Sequence, residues 1–272
     1  MAKTILITGA SSGIGKATAK LFQENGWNVV ATMRTPDKET ELTGLDNVLV
    51  IRLDVTDPAS IATAVGAGIE AFGRIDALVN NAGYGAFGPL EVATMEKIRR
   101  QFDTNVIGLL EVTKALLPHF RANRDGVIVN ISSIGGRIAF PLGSLYHGTK
   151  YAVEGISEAL SYEMAATGVK VKVVEPGAIA TDFAGRSFDF TNDESMTEYQ
   201  PVVQGVFTTF ENILGEAAPA SLVAEVIHTA VTDGTDQLRY AAGADAEQML
   251  AARASQDDAA FMGGIRAQMG LD

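Results

Sequence analysis

The chain has 272 residues, of which 47% are hydrophobic and 20% charged, and it contains no cysteine. This composition is typical of a globular protein with a sizeable core, and it excludes a disordered chain and a disulfide-stapled scaffold. The formal net charge of -12 disfavours nucleic acid and anionic membranes as partners, because an acidic surface repels phosphate. The first residues hold no apolar stretch long enough for a signal peptide or a membrane span, so we expect a cytoplasmic protein.

Short apolar runs alternate with amphipathic segments along most of the chain. Strands are predicted at 4–8, 28–33, 47–53, 76–80, 126–132, 169–175 and 237–241. Helices are predicted at 14–25, 58–72, 95–120, 145–166 and 221–231. Strands rich in Val and Ile that alternate with helices indicate an α/β fold, in which a doubly wound, Rossmann-type parallel sheet is flanked by helices. We expect one domain, 1–272, because no linker divides the chain.

Residues 177–219 interrupt this alternation. They carry several aromatic side chains interleaved with acids: Phe183, Phe188, Phe190, Tyr199, Phe207 and Phe210. A connection this long in a compact domain usually covers a site, so we expect a substrate lid. Each phenylalanine could instead dock the segment on the core. The tail over 245–272 is expected to be partly helical and to pack either on a neighbouring subunit or over the mouth of the site.

A glycine-rich turn follows the first predicted strand and opens the first helix. A helix N-terminus offers free N–H groups and a positive dipole end to a pyrophosphate, and glycine lets the backbone approach it closely. Glycines are also common in strand-to-helix turns for geometric reasons alone, so this motif by itself is weak. The candidate phosphate-binding residues are Gly9, Ser11, Ser12, Gly13, Ile14 and Gly15.

Three motifs in this order carry a resemblance to a known family. They are the glycine turn, the run Asn80-Asn81-Ala82-Gly83 after the fourth strand, and Tyr146-x-x-x-Lys150. Together they resemble the short-chain dehydrogenase/reductase family over residues 3–243. The resemblance implies an oxidoreductase that transfers a hydride between a nicotinamide cofactor and a carbonyl or secondary alcohol. It also implies a homodimer or homotetramer, since members often associate through the tyrosine-bearing helix.

The resemblance assigns four catalytic positions, which are Asn105, Ser133, Tyr146 and Lys150. Tyr146 and Lys150 share one face of a predicted helix, and a neighbouring ammonium would lower the phenol pKa so that the phenol gives or takes a proton. Ser133 has the family's spacing to the tyrosine, and we expect Ser132 to bond nearby backbone instead. Asn105 would hold a water beside Lys150, although it could be an ordinary asparagine inside a helix.

The end of the second strand bears on the choice of cofactor. NAD-binding sheets usually place an acid there to hold the ribose hydroxyls, but this chain has Met33 followed by Arg34. A guanidinium can pair with a 2′-phosphate through charge-assisted hydrogen bonds. We therefore expect NADP(H), the alternative for Arg34 being a solvated loop residue.

The resemblance assigns the other cofactor contacts along the same edge of the sheet. Asp54 could instead be a turn acid or a helix N-cap. The residues assigned to the adenine, the ribose and the nicotinamide are Asp54, Val55, Asn81, Ala82, Gly83, Tyr146, Lys150, Pro176, Gly177, Ile179 and Thr181.

The aromatic content around the predicted site favours a fairly bulky hydrophobic ketone or aldehyde as the substrate. The candidate substrate-binding residues are Ser133, Phe140, Leu142, Tyr146 and Phe183. The histidines have no metal-binding spacing and are expected to be structural or surface residues, with His147 a candidate for a dimer face. No metal is expected. The alternative function is a non-catalytic NADP(H)-sensing or interaction protein on the same fold.

Overall fold

A computed structural model describes residues 2–181 and 187–271 of the chain, and within them seven strands form one parallel sheet. The elements of the first half are β1 (Thr4–Ile7), α1 (Gly13–Glu24), β2 (Asn28–Met33), β3 (Val48–Arg52), α2 (Pro58–Phe72), β4 (Ala77–Asn80), β5 (Gly85–Phe87), α3 (Met95–Phe102) and α4 (Gly108–Asn123). Those of the second half are β6 (Gly126–Ile131), α5 (Ser144–Ala165), β7 (Val169–Pro176), β8 (Ile179–Ala180), β9 (Phe188–Phe190), α6 (Gln200–Gly215), β10 (Ala218–Pro219), α7 (Ala220–Thr232), β11 (Arg239–Ala242), α8 (Ala244–Ser255) and α9 (Asp258–Gln268).

The order of the strands in the sheet is β11-β7-β6-β4-β1-β2-β3, and every neighbouring pair is parallel. The chain therefore reverses its direction of winding between β1 and β4, and the carboxyl ends of the strands meet at one edge there. In open α/β sheets such a crevice is where ligands bind. The predicted doubly wound, Rossmann-type single domain is confirmed.

Helices cover both faces of this sheet. On one face, α1 and α7 bury Phe22 and Ile227 completely. On the other, α2, α4 and α5 form a second core that includes Ile61, Leu116 and Phe120. Burying each such side chain stabilises the fold by roughly 2 kcal/mol. The central strands are consequently buried on both faces, which explains their continuous apolar runs.

Local sequence signals fix several helix ends. Asp57 caps α2, since its carboxylate accepts the backbone N–H groups of Ala59 and Ser60, and Pro58 opens the helix. Gly73, with φ of 82°, ends it.

The helix predicted over 95–120 is interrupted by a π-helical turn at Asp103–Ile107. This turn holds Asn105, whose side-chain amide binds the backbone of Tyr84 on a neighbouring loop. The tertiary contact displaces the regular helical spacing locally, a change that an amphipathic pattern does not reveal.

Two pairs of short strands lie outside the main sheet, β5 with β9 and β8 with β10. The first pair attaches the segment over 177–219 to the loop region after β4, and the second joins the two ends of that segment. The sequence did not predict them, because strands of two or three residues carry no alternating pattern.

The tail forms two helices, α8 and α9, which pack on their own chain. Phe261, Ile265 and Met269 join Val206 of α6 and Ile138 in a third hydrophobic cluster. The tail lies beside the edge of the sheet where the strands end, which is one of the two placements expected for it.

Candidate active site

A cleft of about 1910 Å³ opens at the carboxyl edge of the sheet. It begins at the glycine turn after β1, passes the ends of β2, β3, β4, β6 and β7, and is bounded by α6 and the start of α8. The predicted site residues that line it are Gly9, Ser11, Ser12, Gly13, Ile14, Arg34, Asp54, Val55, Asn81, Ala82, Gly83, Ser133, Phe140, Tyr146, Lys150, Pro176, Gly177, Ile179 and Thr181. One cleft thus brings together residues from the whole chain.

The glycine turn is held by the Asn81-Ala82 pair after β4. The amide nitrogen of Asn81 donates to the carbonyls of Thr8 and Gly9, at 2.9 and 3.1 Å. The Thr8 hydroxyl oxygen accepts the backbone N–H groups of Asn81 and Ala82, both at 3.0 Å. Two motifs that are far apart in the sequence therefore form one rigid unit.

Close packing explains two of the three glycines. A β-carbon at Gly15 would lie 2.6 Å from Nδ2 of Asn81, so glycine at this position lets α1 pack against Asn81. Gly15 does not line the cleft. Gly9 has φ of 68°, and a β-carbon there would lie 2.9 Å from Cα of Ala82.

Two cations lie at the end of β2. Arg34 and Lys38 are both exposed and line the cleft beside Met33, which is buried. Within the described part of the chain neither cation forms an ion pair, whereas the nearby Lys16 pairs with Glu39 at 3.0 Å. Lys38 was not among the residues predicted from the sequence, although a second cation four residues after Arg34 indicates a basic site.

Asp54 and Val55 line the cleft where β3 ends. Asp54 forms an Asx turn, its Oδ1 accepting the backbone N–H and the hydroxyl of Thr56 at 3.0 and 2.8 Å. It is not the cap of α2, a position that Asp57 fills. A β-carbon at Gly108 would lie 2.7 Å from Cγ2 of Val55, so α4 approaches this edge only because residue 108 is glycine.

Ser133 and Tyr146 face each other across the cleft. Both line the cleft, and the Ser133 hydroxyl donates to the Pro176 carbonyl at 3.5 Å. The Ser133 hydroxyl oxygen also accepts the backbone N–H of Gly135 at 3.0 Å. Lys150, one turn along α5, donates to the Ile131 carbonyl at 2.9 Å and lies 5.7 Å from the Tyr146 ring centre. The three side chains predicted on this edge therefore meet.

Burial dominates the titration of this group. It raises the pKa of the Tyr146 phenol, and the neighbouring Ser133 side chain opposes this rise only in part. Burial also lowers the pKa of Lys150 to about 8, with Glu154 acting in the opposite direction. The sequence led us to expect a lowered phenol pKa. The chain by itself shows the opposite direction, since removal from water disfavours a phenolate.

Asn105 is buried beside Thr149 and is not in the lining of the cleft. Its Nδ2 donates to the Tyr84 carbonyl at 2.9 Å and to the Thr149 hydroxyl at 3.1 Å, and its Oδ1 accepts the Tyr84 N–H at 3.1 Å. Thr149 in turn donates to the Tyr146 carbonyl at 2.7 Å. The Asn105 side chain thus connects the loop of Tyr84 to α5, the helix that carries Thr149 and Tyr146.

Three predicted placements need correction or remain open. Leu142 has φ of 64° and packs in the third hydrophobic cluster instead of lining the cleft, because its left-handed backbone turns the side chain away. The Ser132 hydroxyl is buried without a hydrogen-bond partner among the described residues, so it does not bond nearby backbone as expected. Phe183 lies outside the described residues.

An aromatic wall closes the outer side of the cleft. Phe87 stacks on Phe188 at 5.0 Å and lies 5.2 Å from the Tyr146 ring. Phe188 continues to Phe190, which meets Phe207 edge-on at 4.8 Å. Phe188 and Phe207 line the cleft, so phenylalanines of the segment over 177–219 face the position beside Tyr146.

The turn after β7 joins the cleft to the tail. The Asp245 carboxylate at the start of α8 accepts the Ala178 N–H at 2.7 Å. A β-carbon at Gly177 would lie 2.5 Å from Oδ1 of Asp245, so this glycine makes room for the acid. Thr181 approaches the glycine turn, 3.3 Å from where a β-carbon of Gly13 would be.

Two further findings concern the described residues only. They contain no group of three histidine or acidic side chains that could hold a metal ion. None of their helices combines the length and the apolar character needed to cross a bilayer.

Comparison with known proteins agrees with this geometry. The family model described as short chain dehydrogenase matches residues 3–192. An uncharacterized oxidoreductase of Schizosaccharomyces pombe is 48% identical over 244 residues, covering 88% of this chain and 100% of that protein. The chain belongs to the short-chain dehydrogenase family and is an oxidoreductase of that family.

Solved structures place the whole chain in the same fold. A short-chain dehydrogenase from Streptomyces avermitilis superposes with a TM-score of 0.83 at 34% identity, covering 100% of this chain and 98% of the other. ElxO with NADP bound superposes with a TM-score of 0.73 at 30% identity, covering 89% of this chain and 98% of that one.

Proposed function

We propose that this protein transfers a hydride between NADP(H) and the carbonyl or secondary alcohol of a fairly bulky hydrophobic compound. The observation that carries the proposal is that Tyr146 and Ser133, with Lys150 beside the Tyr146 ring, line the same cleft as the glycine turn. A phenol, a hydroxyl and an ammonium at this edge form an acid–base site and not a metal or nucleophile site.

The residues of the chain fit a nicotinamide dinucleotide. The glycine turn precedes α1 and lines the cleft, where the first N–H groups of the helix are available to a phosphate. A β-carbon at Gly9 or Gly15 would collide with the Asn81-Ala82 pair. Asp54 and Val55 would hold the adenine end, and Asn81, Ala82 and Gly83 the adjoining ribose. Tyr146, Lys150 and the turn after β7, with Pro176, Gly177, Ile179 and Thr181, would hold the nicotinamide end. When bound, the cofactor supplies or accepts the hydride.

The proton chemistry belongs to the chain itself. Ser133 orients the substrate oxygen by a hydrogen bond, and Tyr146 gives a proton to that oxygen during reduction or takes it during oxidation. Lys150, held by the Ile131 carbonyl, supplies positive charge beside the phenol. Asn105 fixes the loop after β4 and, through Thr149, the helix that carries Tyr146. Its catalytic contribution is proposed to be this positioning, since its side chain is engaged by protein groups.

The preference for NADP(H) rests on charge. Arg34 and Lys38 lie at the end of β2 and form no ion pair with the described residues, and Met33 takes the position of the usual acid. Two cations that pair with no acid among the described residues match the double negative charge of a 2′-phosphate. The solved relative with NADP bound supports the same choice.

The substrate preference rests on the aromatic wall. Phe87, Phe188, Phe207 and Phe210 line the part of the cleft beyond Tyr146, together with Phe140. We propose that the segment over 177–219 acts as a lid that excludes water from the hydride path. Apolar rings favour a bulky hydrophobic ketone or aldehyde over a small charged keto acid.

We also propose a homodimer or homotetramer. Phe102, Ile107 and Tyr151 are exposed by 37%, 49% and 46% on neighbouring elements, α3, the π-helical turn and α5. Sedimentation of the purified chain tests this directly. A monomer at working concentration would contradict it.

The experiment that tests the function is the loss of NADPH absorbance with a graded panel of carbonyl compounds. We expect turnover of aryl and long-chain ketones or aldehydes, and little with small keto acids. Better turnover of the keto acids would overturn the substrate class. Tight NADPH binding with no turnover across the panel would instead favour the sensing protein.

A further inference from the structure

His147, directly after Tyr146, is one of the most enclosed polar side chains near the site, with 5% of its surface exposed. Of the placements expected from the sequence, the structural one agrees with this burial, whereas a surface position does not. Its ring contacts Phe87, Phe140 and Tyr146, with centres 6.3, 5.6 and 5.5 Å away. Burying a polar imidazole is unfavourable unless its nitrogens form hydrogen bonds, so the partners of this ring indicate its role.

Both ring nitrogens of His147 bind the connection between β6 and α5, residues 132–143. Nδ1 lies 2.9 Å from the Gly135 carbonyl oxygen, and Nε2 accepts the Phe140 N–H at 3.1 Å. A carbonyl can only accept and an N–H can only donate, so the tautomer is determined: Nδ1 carries the proton and the ring is neutral. Burial lowers the pKa of His147, which keeps the ring in this form.

The two partners matter for the reaction. Both backbone groups of Gly135 are engaged, since its carbonyl accepts from His147 while its N–H donates to the Ser133 hydroxyl at 3.0 Å. Phe140 lines the substrate side of the cleft. One imidazole therefore holds Gly135, whose N–H binds Ser133, and Phe140, which shapes the pocket.

Two glycines are matched to this ring. A β-carbon at Gly135 would lie 2.9 Å from Nδ1, and one at Gly143 would lie 2.5 Å from Nε2. Both distances are too short for any other residue, so Gly135, Gly143 and His147 form a mutually dependent set. Of the side chains in ring contact with His147, only Tyr146 is titratable, and no charged group of the described residues shifts the imidazole.

We propose that His147 is a positioning residue that sets the Ser133 hydroxyl through Gly135 and the pocket wall through Phe140. This inference rests on the proposed reductase function. The two hydrogen bonds separate its two effects: the Nδ1 bond governs the chemical step at Ser133, and the Nε2 bond governs the fit of the substrate.

Two conservative variants each keep one bond. The amide of His147→Asn reaches the position of Nδ1 and retains the Gly135 contact, whereas the amide of His147→Gln reaches the position of Nε2 and retains the Phe140 contact. We expect His147→Gln to lower kcat about tenfold with KM within about twofold. We expect His147→Asn to raise KM for a bulky ketone by about tenfold with kcat nearly unchanged.

A third variant and a control complete the kinetic test. His147→Ala should lose both properties and regain part of kcat with added imidazole, but not with N-methylimidazole, whose substituted nitrogen cannot donate. His119→Ala is the control, because that histidine binds the Ile75 backbone far from the cleft. It should lower stability without a split between kcat and KM. The proposal would be overturned if His147→Asn and His147→Gln lowered kcat and raised KM to the same extent. It would then be enough to explain both changes by the loss of stability, as in His119→Ala.

A separate readout keeps this test independent of the function. Nitrogen chemical shifts of the imidazole should show Nδ1 protonated and Nε2 bare throughout the neutral pH range. A ring protonated on both nitrogens, or on Nε2 alone, would overturn the proposal whatever the kinetics. A wild-type chain that reduces no carbonyl compound would count against the proposed function. The nitrogen chemical shifts would still show whether His147 makes its two hydrogen bonds.

Discussion

The Asp245 carboxylate accepts the backbone N–H of Ala178 at 2.7 Å, which ties the first turn of α8 to the turn after β7. The two residues are 67 positions apart in the chain. The contact connects the tail to the edge of the cleft where we propose that the nicotinamide binds. It also accounts for Gly177, whose missing side chain leaves the acid its space.

Replacing Asp245 should therefore affect the cofactor from a distance. We expect Asp245→Ala to lower the free energy of unfolding by about 1 kcal/mol and to weaken NADPH binding several-fold, because the Ala178 N–H loses its acceptor. Asp245→Asn keeps an acceptor oxygen and should stay near wild type. Titration of NADPH fluorescence and thermal unfolding measure both. Unchanged binding in the alanine variant would mean that the tail does not shape the cofactor turn.

The cations at the end of β2 make a prediction about cofactor choice. Arg34→Ala should raise the dissociation constant of NADPH by about tenfold or more and leave that of NADH nearly unchanged, since only NADPH carries the 2′-phosphate. Arg121→Ala, an exposed arginine on α4, removes the same charge elsewhere and should change neither constant. Equal weakening of both cofactors in Arg34→Ala would contradict the NADP preference.

Thr149 is expected to act through Asn105 and Tyr146. Thr149→Val removes the acceptor for Asn105 Nδ2 and the bond to the Tyr146 carbonyl, and should lower kcat about three- to tenfold. Thr149→Ser restores the hydroxyl and should recover most of the activity. Steady-state kinetics with one ketone compare the three proteins. A serine variant as poor as the valine variant would show that packing, not the hydroxyl, matters.

Glu175, buried at the end of β7, makes a prediction about pH. Burial raises the pKa of its carboxyl from 4.5 to about 7, with Glu154 adding to the shift and Arg137 opposing it. The folded chain then binds more protons than the unfolded chain between pH 4.5 and 7. The stability that this group contributes is complete below 4.5 and is lost as the pH rises through about 7.

Chemical denaturation across that range checks the sign. Glu175→Gln should remove a decline in unfolding free energy of about 1–3 kcal/mol between pH 4.5 and 7. Glu158→Gln, a surface acid paired with Arg239, is the control and should leave the decline in place. The assignment would be contradicted if the unfolding free energy of the wild-type chain rose over this range and Glu175→Gln showed the same rise.

The sequence predicted the frame of the fold, and most of the predicted site residues line the cleft. Val- and Ile-rich strands and the glycine turn are local signals, and the family motifs are short and ordered, so β1 to β4 and residues such as Tyr146 and Lys150 were predictable. The contacts of Asn105, Asp245 and His147 were not, because they depend on partners brought close only by the folded chain. Leu142 was misplaced for a related reason, since a left-handed backbone reverses the direction of a side chain.

The central claim is that Tyr146 moves the proton as the hydride is transferred. The most direct measurement compares NADPH-dependent turnover of a reactive ketone by the wild-type chain, Tyr146→Phe and Tyr162→Phe. Tyr162 lies on the same helix with 74% of its surface exposed, so its variant removes the same hydroxyl away from the cleft.

We predict that Tyr146→Phe loses at least about a hundredfold in kcat while it still binds NADPH, because general acid catalysis contributes that much. Tyr162→Phe should keep wild-type turnover. If Tyr146→Phe kept the wild-type rate of ketone-dependent NADPH oxidation, Tyr146 would not be the residue that transfers the proton.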